Sequence, residues 1–195
     1  MPKVVDHEAR RRQIVDALWR VVARDGFSAV TVRSVAAEAH LNPTTVALAF
    51  ESRTQLLVQA YADLSRRDDE QLDRLLRRGM SVEVLVEACL LALPLTPRRA
   101  QHTAVWVALL DAAGNDAIAA RAVADFGSGV RHRIRELLGR AVDEGVLRTT
   151  LDLDAQVVVV HAILDGLSVQ VACTRTPKRA AIRSALSEHF RTLAT

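Results

Sequence analysis

The chain is short of the residue types that break, staple or stack a polypeptide. Its 195 residues include five prolines, eight glycines and two cysteines, and aromatic side chains make up 4%. So little proline and glycine excludes a low-complexity chain. No long alternation of valine, threonine and tyrosine marks a strand either. Alanine, leucine, arginine and valine dominate, a composition that favours helix. Cys89 and Cys173 stand far apart with no CxxC and no Cys/His cluster, which excludes a zinc site built on spaced thiolates. Both are expected to be buried thiols in a reducing compartment. The opening MPKVVDHEARRR is polar and lacks an apolar segment of the secretory kind. No apolar run is expected to reach the roughly 18 residues of a membrane helix; the longest, around Val157 to Val160, soon meets His161 and Asp165. These absences point to a soluble cytoplasmic protein with no membrane partner.

Catalytic signatures are equally scarce. There is no glycine-rich phosphate loop, no HExxH and no GxSxG. His161, Asp165 and Ser168 are the only catalytic-looking trio, and all three fall on one expected helix. Side chains there splay outward and cannot assemble a base oriented toward a nucleophile. The chain is therefore read as a non-enzyme with no catalytic residue, no metal site and no cofactor. Half of its residues are hydrophobic and a quarter charged, enough for a sizeable core in one or two domains. The net charge of +3 is mild and decides nothing about nucleic acid, for which a local patch suffices.

What is present is concentrated in TVRSVAAEAHLNPTTVALAFESR, Thr31 to Arg53. Thr31 suits an N-cap, and Val32, Val35, Ala36 and Ala39 then fall at i, i+3, i+4 and i+7, one face of a first short helix. His40-Leu41 makes a corner. Asn42 is a second N-cap, and Pro43 takes the first helical position, where its missing amide costs nothing. Val46 and Phe50 point inward, leaving Thr44, Thr45, Ala47 and Leu48 outside. An eight-residue helix with small, uncharged outer residues holds itself poorly in water and is shaped to lie in a DNA major groove. The pattern reads as a helix-turn-helix.

Gly26-Phe27, Thr31-Val32-Arg33, Val35-Ala36, Ala39, Leu41-Asn42-Pro43, Phe50, Arg53 and Leu56-Leu57 follow at fixed spacing without an insertion. This set resembles the DNA-binding signature of the TetR family of bacterial transcriptional regulators, over about the first third of the chain. There are departures. His40 stands where the family usually has glycine, and a positive φ there carries some strain. Thr44 stands where glycine is common. Ala47 and Ala49 replace the frequent Tyr and His or Tyr, the first of which usually contacts a phosphate. Arg53 replaces the usual lysine and keeps its charge.

Phosphate contacts dominate affinity and base contacts set specificity. Arg33, Thr44, Thr45 and Leu48 are the candidates for base edges; a threonine methyl or Leu48 can touch a thymine methyl. Asn42 and Arg53, at two helix starts, suit phosphates alongside exposed backbone amides. Pro43 and Ala47 complete the expected DNA-facing set. Arg10, Arg11 and Arg12 cluster near the start of a first helix expected from about Asp6 or His7 to Arg24. They oppose its dipole, which leaves phosphate contact and a solvated face as equal readings. Residues 1 to about 6, with Lys3, are expected as a loose arm.

Beyond Ser52 a charge-laced helix is expected to run to Gly79 as a connector. Ser81 opens a fifth helix with Leu85, Cys89, Ala92 and Leu93 on one face. Thr96-Pro97 opens a sixth, and Asn115 or Asp116 a seventh reaching about Glu144, with Phe126, Val130, Ile134, Leu137, Leu138 and Ala141 inward. Gly127 and Gly129 weaken that helix by about 1 kcal/mol each relative to alanine and mark a point for a kink. The helix from about Asp154 to Cys173 is apolar on nearly every side and needs cover all round. The simplest cover is the same helix of a second subunit, with Val160 and Leu167 at the interface. A last helix is expected from about Pro177 to Leu193.

WVALLDAA, DEGVL, DLDAQ and LDGLSVQ also resemble, more loosely, the C-terminal domain of the betaine-regulator-like branch of that family. Together the resemblances imply an all-α homodimer. A helix-turn-helix domain over residues 1–53 and a connecting helix over 54–79 would precede a ligand-binding and dimerisation domain over 80–195. The implied activity is ligand-responsive repression at a near-palindromic double-stranded DNA operator. The implied effector is a small, mostly apolar compound, met by His102, Trp106, Phe126 and His161. His161 and Asp165, at i and i+4, alternatively satisfy each other within the dimer interface. A helical adaptor or architectural protein with a degenerate helix-turn-helix is the alternative, kept open by Ala47.

Overall fold

The structure, a computed structural model, describes residues 3–195, with side chains from Glu8 onward except those of Phe27 and Arg67. It is all-α: α1 (Lys3–Asp25), α2 (Val32–Glu38), α3 (Pro43–Ala49), α4 (Arg53–Leu76), α5 (Val82–Ala92), α6 (Pro97–Ala112), α7 (Ala117–Asp143), α8 (Leu153–Thr174) and α9 (Arg179–Leu193), with a single 3-10 turn at Phe27–Ala29. Among the described residues the extended pairing is one isolated antiparallel bridge between Leu147 and Ala194.

Several boundaries differ from the sequence reading. α1 begins at Lys3 rather than near Asp6, so the expected arm is helical from Lys3 onward; Met1, Pro2 and the Lys3 side chain lie outside the described residues. α4 stops at Leu76, short of Gly79, whose φ of 86° turns the chain out of the helix. α7 passes unbroken through Gly127 and Gly129; its backbone bonds need no side chain, and Ala122 before them and Ile134 and Leu138 after them are buried. α9 begins at Arg179, and Pro177 lies in the turn before it, after a cis Thr176–Pro177 bond.

The chain packs as two compact units. The first comprises Met1–Leu64 with Ala104–Val123, the second Ser65–Thr103 with Ala124–Thr195. Packing therefore divides α4 internally rather than at either end. In the first unit Ile14, Leu18 and Val21 of α1 meet Val35 and Ala36 of α2, Val46 of α3 and Leu56 and Ala60 of α4. Each fully buried valine, leucine or isoleucine among them contributes roughly 1.5–3 kcal/mol. Polar ties brace α1 to α2: Gln13 Nε2 donates to Ala39 O at 3.0 Å, and Arg20 and Arg24 reach the Glu38 carboxylate at 2.8 and 2.6 Å. Hydrogen bonds from Arg24 and then Arg20 hold Glu38 below the usual carboxylate range. Thr54 Oγ1 donates to Asp116 Oδ2 at 2.6 Å, while Asp116 Oδ1 caps α7 through the Ile118 amide at 2.8 Å.

The second unit is built around α5, which buries Val84, Leu85, Val86, Ala88, Cys89 and Leu90. It is enclosed on more than the one face expected, and Ala92, placed on that face, is exposed. Ile182, Leu186, Phe190 and Leu193 of α9, Ile134 and Leu138 of α7, and Val157, Val160 and Leu164 of α8 share its core. Burial pushes the Cys89 thiol up to about 12, so it is an inert core residue. Cys173, expected to be buried, is exposed at the end of α8. Val130, expected inward, is also exposed, because α7 carries more apolar positions than the core covers.

α8 corrects two expectations. Its 22 residues contain an 18-residue stretch of mean hydropathy 1.7, long and apolar enough to cross a membrane by composition, yet only 22% of that stretch is buried within the chain. His161 and Asp165 interrupt the run without lowering it below that level. Val160, expected at a subunit interface, is 3% exposed and belongs to the chain's own core; Val158 and Val169, 63% and 48% exposed, form the open side.

Candidate nucleic-acid interface

The short helices of the first unit are each fixed at the N-terminal end by a side-chain cap and closed at the C-terminal end by backbone hydrogen bonds. Thr31 Oγ1 accepts from the Ser34 amide at 3.0 Å, and Ser34 Oγ accepts from the Thr31 amide at 2.9 Å. This is a reciprocal capping box with serine in the third position. The sequence exposed Thr31 as a cap but not its partner, because glutamate or glutamine is the familiar residue there. The Ser34 hydroxyl also donates to Ala29 O at 2.7 Å, seating α2 on the preceding turn.

His40 takes φ 54°, the left-handed corner expected of it, at a cost of roughly 1–2 kcal/mol for a non-glycine residue. The corner is closed by the Leu41 amide donating to Ala36 O at 2.9 Å. Asn42 Oδ1 then accepts from the Thr44 amide at 2.8 Å, and the Thr45 amide donates to Asn42 O at 2.9 Å. Those two amides are thus spent inside α3, and Pro43 has none. The backbone donors expected at this helix start are not on offer, which leaves Asn42 its own exposed side-chain amide.

α3 has seven residues rather than eight, since Phe50 is already extended at φ −142°. Val46 and Phe50 are buried; Pro43, Thr44, Ala47 and Leu48 are exposed and Thr45 half-buried. Arg33 is exposed in the first turn of α2. Six of the eight expected contact residues thus lie on or beside one helix. Arg53, in the first turn of α4, donates through Nε to Val30 O at 3.0 Å and so also pins the segment before α2. Of the N-terminal arginines, Arg11 is tied to α3: its Nη2 donates to Ala49 O at 3.4 Å and its guanidinium stands 5.5 Å from the Phe50 ring centre. That distance suits a cation–π contact, and only the fold, not the spacing, could reveal it.

The expected ligand residues fall in different surroundings. Trp106 belongs to the first unit, where its ring tilts against Tyr61 at 5.4 Å; His102, Phe126 and His161 belong to the second. His161 Nε2 lies 3.6 Å from Asp165 Oδ2 on the same helix, the local pairing foreseen as an alternative. His102 Nδ1 stands 3.4 Å from both Asp68 Oδ2 and Arg99 Nη1, with Ser65 Oγ 3.4 Å from Nε2. Arg99 Nη1 approaches Asp68 Oδ2 to 2.6 Å, an ion pair without the alignment of a directed hydrogen bond. Burial, followed by the charges of Arg99 and Arg98, drives the His102 ring down to about 3, and burial raises Asp68 against the pull of the same arginines. His102 is therefore a neutral ring in a half-enclosed charged cluster. Asp68 and Arg99 had no signal in the sequence, standing 31 positions apart in tracts that read as solvated.

A two-helix corner with a buried inner side, a bare outer side and basic residues at its margins defines a DNA-binding helix-turn-helix protein. The chain belongs to the TetR family of bacterial transcriptional regulators: the family's N-terminal domain, "Bacterial regulatory proteins, tetR family", matches residues 14–60, and the "BetI-type transcriptional repressor, C-terminal" domain matches residues 81–195. Regulators of this family bind DNA as dimers and respond to ligands. The chain is 26% identical over 170 residues to the HTH-type transcriptional regulator PksA of Bacillus subtilis, covering 87% of this chain and 82% of that one. A TetR-family regulator from Rhodococcus sp. superposes with a TM-score of 0.78 at 20% identity, over 95% of this chain and 98% of its own. A regulator from Saccharomonospora viridis, solved in complex with choline, superposes with a TM-score of 0.75 at 22% identity, over 95% of each chain.

Proposed function

We propose that this regulator acts in the cytoplasm as a repressor, binding a near-palindromic operator as a homodimer and leaving it when a small ligand enters the C-terminal domain. The observation that carries the reading is α3: its inner residues Val46 and Phe50 are buried while Thr44, Ala47 and Leu48 face solvent. Arg33, Asn42, Pro43, Thr44, Thr45, Ala47, Leu48 and Arg53 form its DNA-contact set. Residues 1–53 serve DNA binding, 54–79 connect, and 80–195 bind ligand and dimerise. The open side of α8, with α7, supports the dimer, since so apolar a face needs cover.

For the effector, His102, Trp106, Phe126 and His161 are the candidate contacts, and the alanine, valine and leucine that dominate the larger domain favour a mostly apolar compound with one or two polar groups. The choline complex of the Saccharomonospora viridis regulator supports the capacity of this fold to hold a small molecule. Selection of random duplexes by the full-length protein tests the DNA reading. It should recover one near-palindrome whose half-site centres lie about one helical turn, or a multiple of it, apart. Recovery of unrelated sequences, or of none, would return the chain to the adaptor reading.

A further inference from the structure

Every side chain that α3 turns outward is uncharged. From Pro43 to Ala49 there is no guanidinium, ammonium or carboxamide, the groups that make two-point hydrogen bonds to a guanine or adenine edge. The polar atoms of the helix face are the hydroxyls of Thr44 and Thr45, which donate or accept and so discriminate weakly among bases. Leu48 is 83% exposed, the most exposed large apolar side chain among the described residues. The fold gains nothing from it there; it gains only where another apolar group meets it. On a base pair viewed from the major groove, that group is the C5-methyl of thymine. Resting on the reading of α3 as the recognition helix, we infer that Leu48 is the base-discriminating residue of α3. It packs on the 5-methyl group of one thymine in each half-site.

The test uses the full-length protein and a duplex recovered by selection. Each thymine of the half-site is replaced singly by deoxyuridine, which removes the methyl and keeps the hydrogen-bonding edge. Losing one buried methyl is expected to weaken binding about fourfold, and losing its symmetry mate as well about fifteenfold. Leu48→Ala, at an exposed position and folded by circular dichroism, is expected to bind the thymine and deoxyuridine duplexes alike. Indifference of the wild type to deoxyuridine at every position overturns the inference while DNA binding stands. So does discrimination that persists in Leu48→Ala. Failure to recover any duplex overturns the DNA reading itself, and the inference with it.

Discussion

Single residues in this chain carry two duties, and substitution separates them. Arg53 holds Val30 O through Nε and is proposed to meet a phosphate with its charge. Arg53→Ala should weaken binding to all duplexes about equally and lower the slope of log affinity against log salt by about 1. An unchanged slope with a lower melting temperature would leave Arg53 only the first duty. His102 makes a prediction about pH. Its folded ring titrates at about 3, pushed down first by burial and then by Arg99 and Arg98, whereas an unfolded histidine takes a proton near 6.5. Between those values the unfolded chain binds more protons, so stability falls as pH drops from about 6.5 toward 3. Asp68, raised by burial, acts in the opposite sense as the pH falls toward the ordinary carboxylate range. It is present in both proteins compared. Urea unfolding across that window should show a smaller loss for His102→Gln than for the wild type; equal losses would contradict an enclosed neutral ring.

At the scale of elements, legibility followed periodicity and caps. Thr31, Asn42, Ser52 and Ser81 end the irregular segments where their side chains accept backbone amides, and all four were readable because capping is local chemistry. α8 was not readable in the same way. A helix apolar on every side has no stripe, so nothing in its sequence says which face its own core takes. Hence the sequence pattern places Val160 at the interface although it is core, while Val158, Val159 and Val169 are exposed. Val158→Asp should give a folded monomer by sedimentation, because the charge enters a dimer interface. Val160→Arg should unfold the second unit, because it places an unpaired charge in the core. A Val158→Asp protein that stays dimeric would move the interface off α8. The cluster of Asp68, Arg98, Arg99 and His102 was unreadable for a different reason: its members come from α4 and α6, and each tract alone looks like solvated charge.

Across the whole molecule, the DNA-binding end was more legible than the ligand end. A recognition helix must keep caps, corner and inner residues at fixed spacing, so its identity survives in short motifs. A ligand domain needs only enough helices to enclose a compound, and the alanine, valine and leucine of α5 and α8 read as packed core whether or not a compound binds. Coupling between the two ends requires a ligand to favour one of two states; a tenfold loss of operator affinity corresponds to about 1.4 kcal/mol. Two copies of α3 are proposed to occupy major grooves on one face of the duplex. The decisive measurement inserts about five base pairs, half a helical turn, between the half-sites of the selected operator and reads binding of the full-length protein. Affinity should collapse toward the non-specific level with the five-base-pair insertion and recover in part when the insertion is extended to about ten base pairs. Binding indifferent to the five-base-pair insertion would contradict that placement of α3.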